Sequence, residues 1–365
     1  MIGKQRMLSS RQITLLILGL GIGGSVLTLP SLAADVFGPS GWLLVFVLGL
    51  FYTGGGWFAA RLAAKFPEET IIEYSPRLLG KWLGFLFNVV FILYLFLVIP
   101  VNVRILQEVV NISLLPRAPA WFVSGSYLLV LIYGATRPVD QLAQVNELLI
   151  EIALVIGLSV SLGSLQHFKP LHLMPLFSWD QIKLDKIETL VGVTFSFGSI
   201  PVVSMVVPYI RRPQEVTKAT VKATLIITGV YTFLTLSVLG VFGYKETIDL
   251  SWVGLELAKS VNVQAVILQR LDLVLIVTWI SALFTTGLIA SFLVASGLAQ
   301  LLRVRKGSAL LWGLVPVIYY LSTLLKNYFV WSQTSFYIAL LSLVITFFFY
   351  PLLYLLSLWK GKRHV

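Results

Sequence analysis

The chain has 365 residues, of which 58% are hydrophobic and 12% charged, with a formal net charge of +11 and a mean hydropathy of +0.90. A soluble domain carries about 25% charged residues, so this composition excludes an ordinary globular chain and indicates a polytopic helical membrane protein. The lack of cysteine excludes disulfides, a thiol nucleophile and thiolate metal sites.

Ten apolar spans are predicted, over 12–36, 41–62, 82–111, 120–137, 140–163, 188–210, 219–243, 264–300, 309–327 and 334–358. Their recurrence to the end of the chain rules out a cleaved signal peptide as their main explanation. The third and eighth exceed the length needed to cross the hydrocarbon, which tilt or extension accommodates. The proline-containing patches KFPEET, LLPRAPAW and GATRPVD punctuate the first half as turns or helix starts. The longest polar connection, 165–186, divides a single transmembrane domain (1–365) into halves of five spans, 12–163 and 188–358.

With the amino terminus in the cytoplasm, 18 of the 27 Lys and Arg residues fall on or beside cytoplasmic segments, eight fall on the opposite side and Arg104 lies in a span. This bias favours both termini inside, and it explains the basic charge through membrane orientation without nucleic acid.

The first span contains GLGIGGSVLTLP, residues 19–30. Glycine costs roughly 1 kcal/mol against alanine in a helix and an internal proline roughly 3, so this span is predicted to break. Backbone freed inside hydrocarbon must be enclosed by protein or line a wet cavity. Close helix packing through Gly19 and Gly23 is the alternative use of the same glycines. The sixth span repeats the interruption at TFSFGSIPVV, residues 194–203. Paired interrupted helices at corresponding positions point to an inverted repeat with a binding site between the halves. The new helix starts near Ser25 and Ser199 favour an anionic group such as a carboxylate, and the preceding helix ends offer carbonyls to an ammonium. The candidate ligand-binding residues are Gly21, Gly23, Gly24 and Ser25 in the first break. In the second they are Thr194, Phe195, Ser196, Phe197, Gly198 and Ser199, acting chiefly through their backbones.

Ionisable and hydroxyl residues inside the spans are candidates for coupling or gating. Arg104 and Glu108 sit four apart in span three, spaced for a pair on one helix face. Such a pair fixes the helix or serves as a gate, and Asn102 beside Pro100 is placed to satisfy loosened backbone. Glu147 and Glu151, beside Asn146, repeat that spacing in span five. Two ionised carboxylates on one face repel, which suits a bound cation or proton, or else structural pairing. Span eight offers Arg270, Asp272, Thr278, Ser281, Thr285 and Thr286; the hydroxyls suit a small cation, a water chain or self-satisfaction on helix carbonyls. His167, His172 and His364 form no compact metal-ligand array. Gly54–Gly56 lack the Lys and Ser/Thr of a nucleotide loop, so neither a metal, a cofactor nor an enzymatic activity is expected.

The paired breaks resemble those of the amino acid–polyamine–organocation transporter superfamily and its five-plus-five LeuT-like fold. More narrowly, MLSSRQITLLILGLGIGGSVLTLP, FPEETIIEYSPRLLGKWLG and VPYIRRPQEVTKATVKA make the chain similar to the spore germination GerAB/GerKB permease family. That resemblance implies an all-α membrane subunit, the B component of a nutrient germinant receptor beside A and C components in the spore inner membrane. It implies a small nutrient ligand, often an amino acid, with membrane lipids as the other partner. GLGIGGSV and FSFGS match the superfamily's two substrate-binding interruptions. Thr285 and Thr286 fall in the span-eight region used by sodium-coupled relatives, and span five lacks a lysine that could replace sodium. A secondary permease, proton-coupled or not, and a water or ion pathway are the alternative uses of the same architecture.

Overall fold

A computed structural model describes residues 7–177, 183, 185–250, 252–261, 271–304, 307–326 and 328–361. Every regular element among them is a helix. The first span is two helices. α1 (Ser10–Ile22) starts on a capping box: Ser9 Oγ accepts the Gln12 N–H at 3.2 Å, and Gln12 Oε1 accepts the Ser9 N–H at 3.0 Å. It stops where the glycines cluster. A 3-10 turn over Ser25–Leu27 then leads into α2 (Leu29–Phe37), with Pro30 in its first turn.

α2 passes through the short turn Gly38–Ser40 into α3 (Gly41–Lys65), and α4 (Ile71–Leu79) is a brief amphipathic helix capped by Thr70 and Glu73. The half closes with α5 (Lys81–Ser113), α6 (Ala120–Ala135) and α7 (Val139–Ser164). The second half opens on the same interruption: α8 (Ile187–Thr194), a 3-10 turn over Phe195–Phe197, and α9 (Pro201–Val206) with proline at its first position. There follow α10 (Val216–Phe242), the short α11 (Tyr244–Asp249) and α12 (Val253–Ser260), and α13 (Leu271–Leu301). α14 (Gly307–Leu324), α15 (Tyr328–Val344) and α16 (Tyr350–Gly361) complete the chain, with a π-helical turn at Ile345–Phe349.

Eight stretches among the described residues are long and apolar enough to cross a membrane, and Ser10–Ile22 and Ala120–Ala135 are shorter apolar helices. The count differs from the ten expected because the glycine break ends α1 after 13 residues and α6, in the fourth span, runs for only 16. The rest of the first span joins α3, so that Leu29–Lys65 counts as one stretch.

α1 is the buried axis of the bundle. Residues 13–22 are all buried, and the helix packs on α7, α9, α10 and α13. On one face, Met7 and Leu8 N–H groups donate to the Tyr209 carbonyl at 2.8 and 2.9 Å, and Arg211 N–H donates to the Leu8 carbonyl at 3.0 Å. These bonds strap the chain before α1 to the end of the second broken span. On the other face, Lys186 Nζ lies 2.5 Å and Lys183 Nζ 3.8 Å from Asp35 at the end of α2. The 165–186 connection is thereby held to the first broken span.

The breaks release carbonyls from their helices, and side chains of other helices supply the donors. Gly19 O accepts from Thr286 Oγ1 at 2.7 Å, Gly21 O from the Tyr231 hydroxyl at 2.7 Å, and Gly23 O from Trp279 Nε1 at 2.8 Å. The Gly198 carbonyl of the second break accepts from the Tyr94 hydroxyl. Leaving such a group unpaired costs about 1–3 kcal/mol, so these bonds hold the breaks open.

Two expectations follow. Tyr231→Phe removes only a hydroxyl, and it should lower unfolding stability by about 1–3 kcal/mol. Thermal unfolding in detergent should detect the loss, and faster amide exchange over 19–27 than over α5 should localise it. Second, a Cβ at Gly84 would lie 2.8 Å from Pro76 N, whereas one at Gly54 would meet nothing within 4 Å. Gly84→Ala should therefore lower the melting temperature by the cost of overpacking, about 1–3 kcal/mol, while Gly54→Ala should hold or raise it.

Candidate functional site

The two breaks face each other. A Cβ on Gly21 would come within 3.1 Å of Ser199 Oγ, and one on Gly198 would run into the Tyr94 hydroxyl and reach 3.4 Å from Ser342 Oγ. Between them lies an inner cavity of about 30 Å³, room for a water or two. Leu20, Gly21, Gly24 and Ser25 line it from the first break, with Phe195 and Gly198 from the second. α5 adds Tyr94, Val98, Val101, Asn102 and Ile105, and α13 adds Leu283 and Thr286. No charged side chain lines this cavity.

A second cavity, about 390 Å³, lies toward the face that carries the 165–186 connection. Its lining includes Thr28, Ser31, Asp35, Lys186, Glu188, Ser196 and Ser335. Gly24, Ser25, Ile105 and Phe195 belong to both linings. Phe195 has the bulkiest side chain among these residues, which are common to the charged outer space and the uncharged inner one.

Of the candidate residues, Gly21, Gly24, Ser25, Phe195 and Gly198 line the inner cavity and Ser196 the outer. Gly23 serves packing: a Cβ there would lie 2.8 Å from the Ala282 carbonyl oxygen and 2.9 Å from Leu283 Cα, both backbone atoms. Thr194 lines neither cavity, its hydroxyl donating to the Val191 carbonyl at 2.6 Å. Phe197 stacks with Tyr52 at 5.4 Å between ring centroids and meets Tyr231 edge-on at 5.8 Å. Ser199 is buried, close to Gly21.

The coupling candidates divide in the same way. Arg104 lies 3.6 Å from Glu108 and donates to Gln107 Oε1 and the Lys326 carbonyl, each at 2.9 Å, tying α5 to the end of α14. Glu147 and Glu151 both face Arg11 at the start of α1: Arg11 Nε lies 3.5 Å from Glu147 and one of its terminal nitrogens, Nη2, donates to Glu151. The guanidinium removes the repulsion that suggested a bound cation or proton there. Ser281 donates to its own Val277 carbonyl at 3.0 Å and lines neither of these cavities. Thr285 donates to its own Ala282 carbonyl at 2.8 Å, and Thr286 to Gly19 O. The Asp272 side chain, Arg270 and His364 lie outside the described residues.

Sequence reasoning missed Tyr94, Val98, Val101 and Ile105, which with Asn102 put one face of α5 against the cavity. Their spacing of three and four is a helical-face signal, but it is indistinguishable from lipid-facing periodicity in an apolar span. Tyr231 and Trp279 carried a stronger signal. A phenol or indole in the middle of a span needs a buried partner.

Comparison with known proteins places this geometry. The family model described as spore germination protein matches residues 7–330. Spore germination protein YndE of Bacillus subtilis is 30% identical over 337 residues, covering 91% of this chain and 92% of the relative. Spore germination protein GerQB of Bacillus cereus is 22% identical over 347 residues, covering 95% and 94%. Among solved structures, the complex of MhsT with L-phenylalanine superposes with a TM-score of 0.74 at 12% identity, covering 93% of this chain and 89% of that one. The fold is therefore the all-α, multi-pass, LeuT-like one. With the family model spanning most of its length and a full-length relative at 30% identity, the chain belongs to the spore germination permease family.

Proposed function

We propose that this protein is the membrane-embedded B-type subunit of a nutrient germinant receptor, and that it binds a small nutrient, an amino acid, between the two helix breaks. The observation that carries this reading is the meeting of two interrupted helices across an uncharged cavity lined by Gly21, Gly24, Ser25 and Gly198. Helix starts there suit a carboxylate and helix ends an ammonium. Membership of a family of spore germination proteins supports the receptor role, and the fold shared with an amino-acid complex supports the ligand class. In this reading the ten apolar segments form a five-plus-five inverted repeat. Both termini lie in the cytoplasm, A and C subunits are the partners, the spore inner membrane is the location, and no catalysis is involved.

An inner cavity of about 30 Å³ must enlarge to hold an amino acid. Ligand therefore binds an expanded state better than this one, and that differential affinity is what shifts the equilibrium. Phe195, whose side chain is the bulkiest common to both linings, is the natural moving part. A receptor passes the change to its partner chains. A secondary permease, the second reading, completes it by opening the strapped face at Leu8 and Tyr209, and the two-cavity arrangement favours that reading on its own.

Purified protein in vesicles separates the two. Saturable amino-acid binding without uptake, with co-isolation of companion chains, is the receptor outcome, and sustained uptake is the permease outcome. Gly21→Ala and Gly198→Ala each crowd the wall of the site, against Ser199 Oγ and the Tyr94 hydroxyl respectively, and should weaken binding about tenfold. Unchanged affinity in both variants moves the site elsewhere.

A further inference from the structure

Arg61 and Lys65 are exposed and one turn apart on one face of α3, at its end. Each is seated on an aromatic ring. The Arg61 guanidinium lies 5.4 Å from the Trp57 ring centroid, and Lys65 Nζ lies 4.9 Å from that of Tyr354 on α16. Lys65 Nζ also donates to Ser357 Oγ at 3.1 Å, which leaves two of its three donors unused. Trp57 and Tyr354 meet edge-on at 6.0 Å, and Phe58 packs against both.

Other arginines of the chain have their counter-ions: Arg11, Arg77, Arg104 and Arg212 each meet a carboxylate. Among the described residues neither Arg61 nor Lys65 has one, and no group there accepts from the Arg61 N–H donors. Glu69, four residues beyond Lys65, is taken by Arg77. The positive-inside bias accounts for basic residues at the end of a span. It does not account for two that rest on rings, side by side, without an acid.

The surroundings decide which anion fits. α3 and α16 present Phe51, Leu355 and Leu358 outward, all exposed, and in a membrane-spanning chain such side chains face acyl chains. Tryptophan and tyrosine collect where those chains meet the headgroups. Arg61 lies about 6 Å inside the end of α3, at the depth of that boundary. We propose that Arg61 and Lys65 form a binding site for the phosphate of an anionic phospholipid whose acyl chains lie along α3 and α16. The guanidinium offers the phosphate a planar fork of donors and the ammonium a point charge. Tyr350, one turn before Tyr354, shares a hydrogen bond of 2.7 Å with Ser204 of α9. The lipid therefore joins α3 to α16 one turn from the contact that holds α16 to the second broken span.

The test is native mass spectrometry of the full chain, purified in an uncharged detergent and titrated with phosphatidylglycerol or phosphatidylcholine of identical chains. Wild type should retain phosphatidylglycerol about ten- to thirtyfold more tightly, from two basic residues at about 1 kcal/mol each. Arg61→Gln and Lys65→Gln should each lower that preference about three- to fivefold, and together they should abolish it. Thermal unfolding in lipid-free detergent checks that each variant folds, and if one does not, the other single substitution carries the test. Lys218 and Lys222 are exposed on α10, which runs antiparallel to α3 with Thr220 against Gly56 and Thr228 against Gly49. They thus lie at the same end of the molecule, and Lys218→Gln with Lys222→Gln should leave the preference intact. An equal loss in that control means a diffuse surface field and overturns the site. Wild-type protein without a preference for phosphatidylglycerol overturns it as well. Excess inorganic phosphate should not release the lipid, and release by phosphate reassigns the two cations to a free anion.

Discussion

A carbonyl that leaves its helix inside an apolar slab must find a donor within the protein, because no water of the bilayer core will supply one. The rest of this structure is arranged around that requirement. Four carbonyls near the two breaks take their donors from Thr286, Tyr231, Trp279 and Tyr94, on three different helices. Those helices, α5, α10 and α13, must therefore pack closely around α1 and α8–α9. The bundle's arrangement and the openness of the breaks are two consequences of the same bonds.

Charge is handled by keeping it at the ends. Arg11 meets Glu147 and Glu151 near one face, and Asp35 meets Lys183 and Lys186 near the other. Exposed pairs of this kind stabilise little, typically 0.2–1 kcal/mol each. Their value is as contacts that a change of shape can break at low cost. The backbone strap between Leu8 and Tyr209 is firmer, and it lies on the face away from the larger cavity. The molecule is thus tied more tightly on one face than on the other.

The inner cavity adds a chemical asymmetry. In the outer cavity, Asp35, Lys186 and Glu188 face a space of about 390 Å³. In the inner cavity, Tyr94 and Thr286 donate to carbonyls of the breaks and Asn102 donates to the Leu283 carbonyl, among largely apolar walls.

Composition and glycine placement were enough to read a multi-pass helical protein whose first and sixth spans break near Gly21–Ser25 and Phe195–Ser199, because a glycine cluster and an internal proline act locally on the helix that carries them. The same local logic read Arg104 with Glu108, four residues apart on one helix. It could not read Arg11 between Glu147 and Glu151, a contact across about 140 residues of chain. It left Gly23 open between a ligand contact and helix packing, and the close approach of the α13 backbone to it could be seen only in the packed structure. Nor could it assign Val98, Val101 and Ile105 to the cavity, since lipid and cavity select the same aliphatic side chains. Where the helices break was a property of the sequence; what stands opposite each break was decided only when the helices packed, because hydrogen-bond partners and cavity walls come from residues remote in the chain.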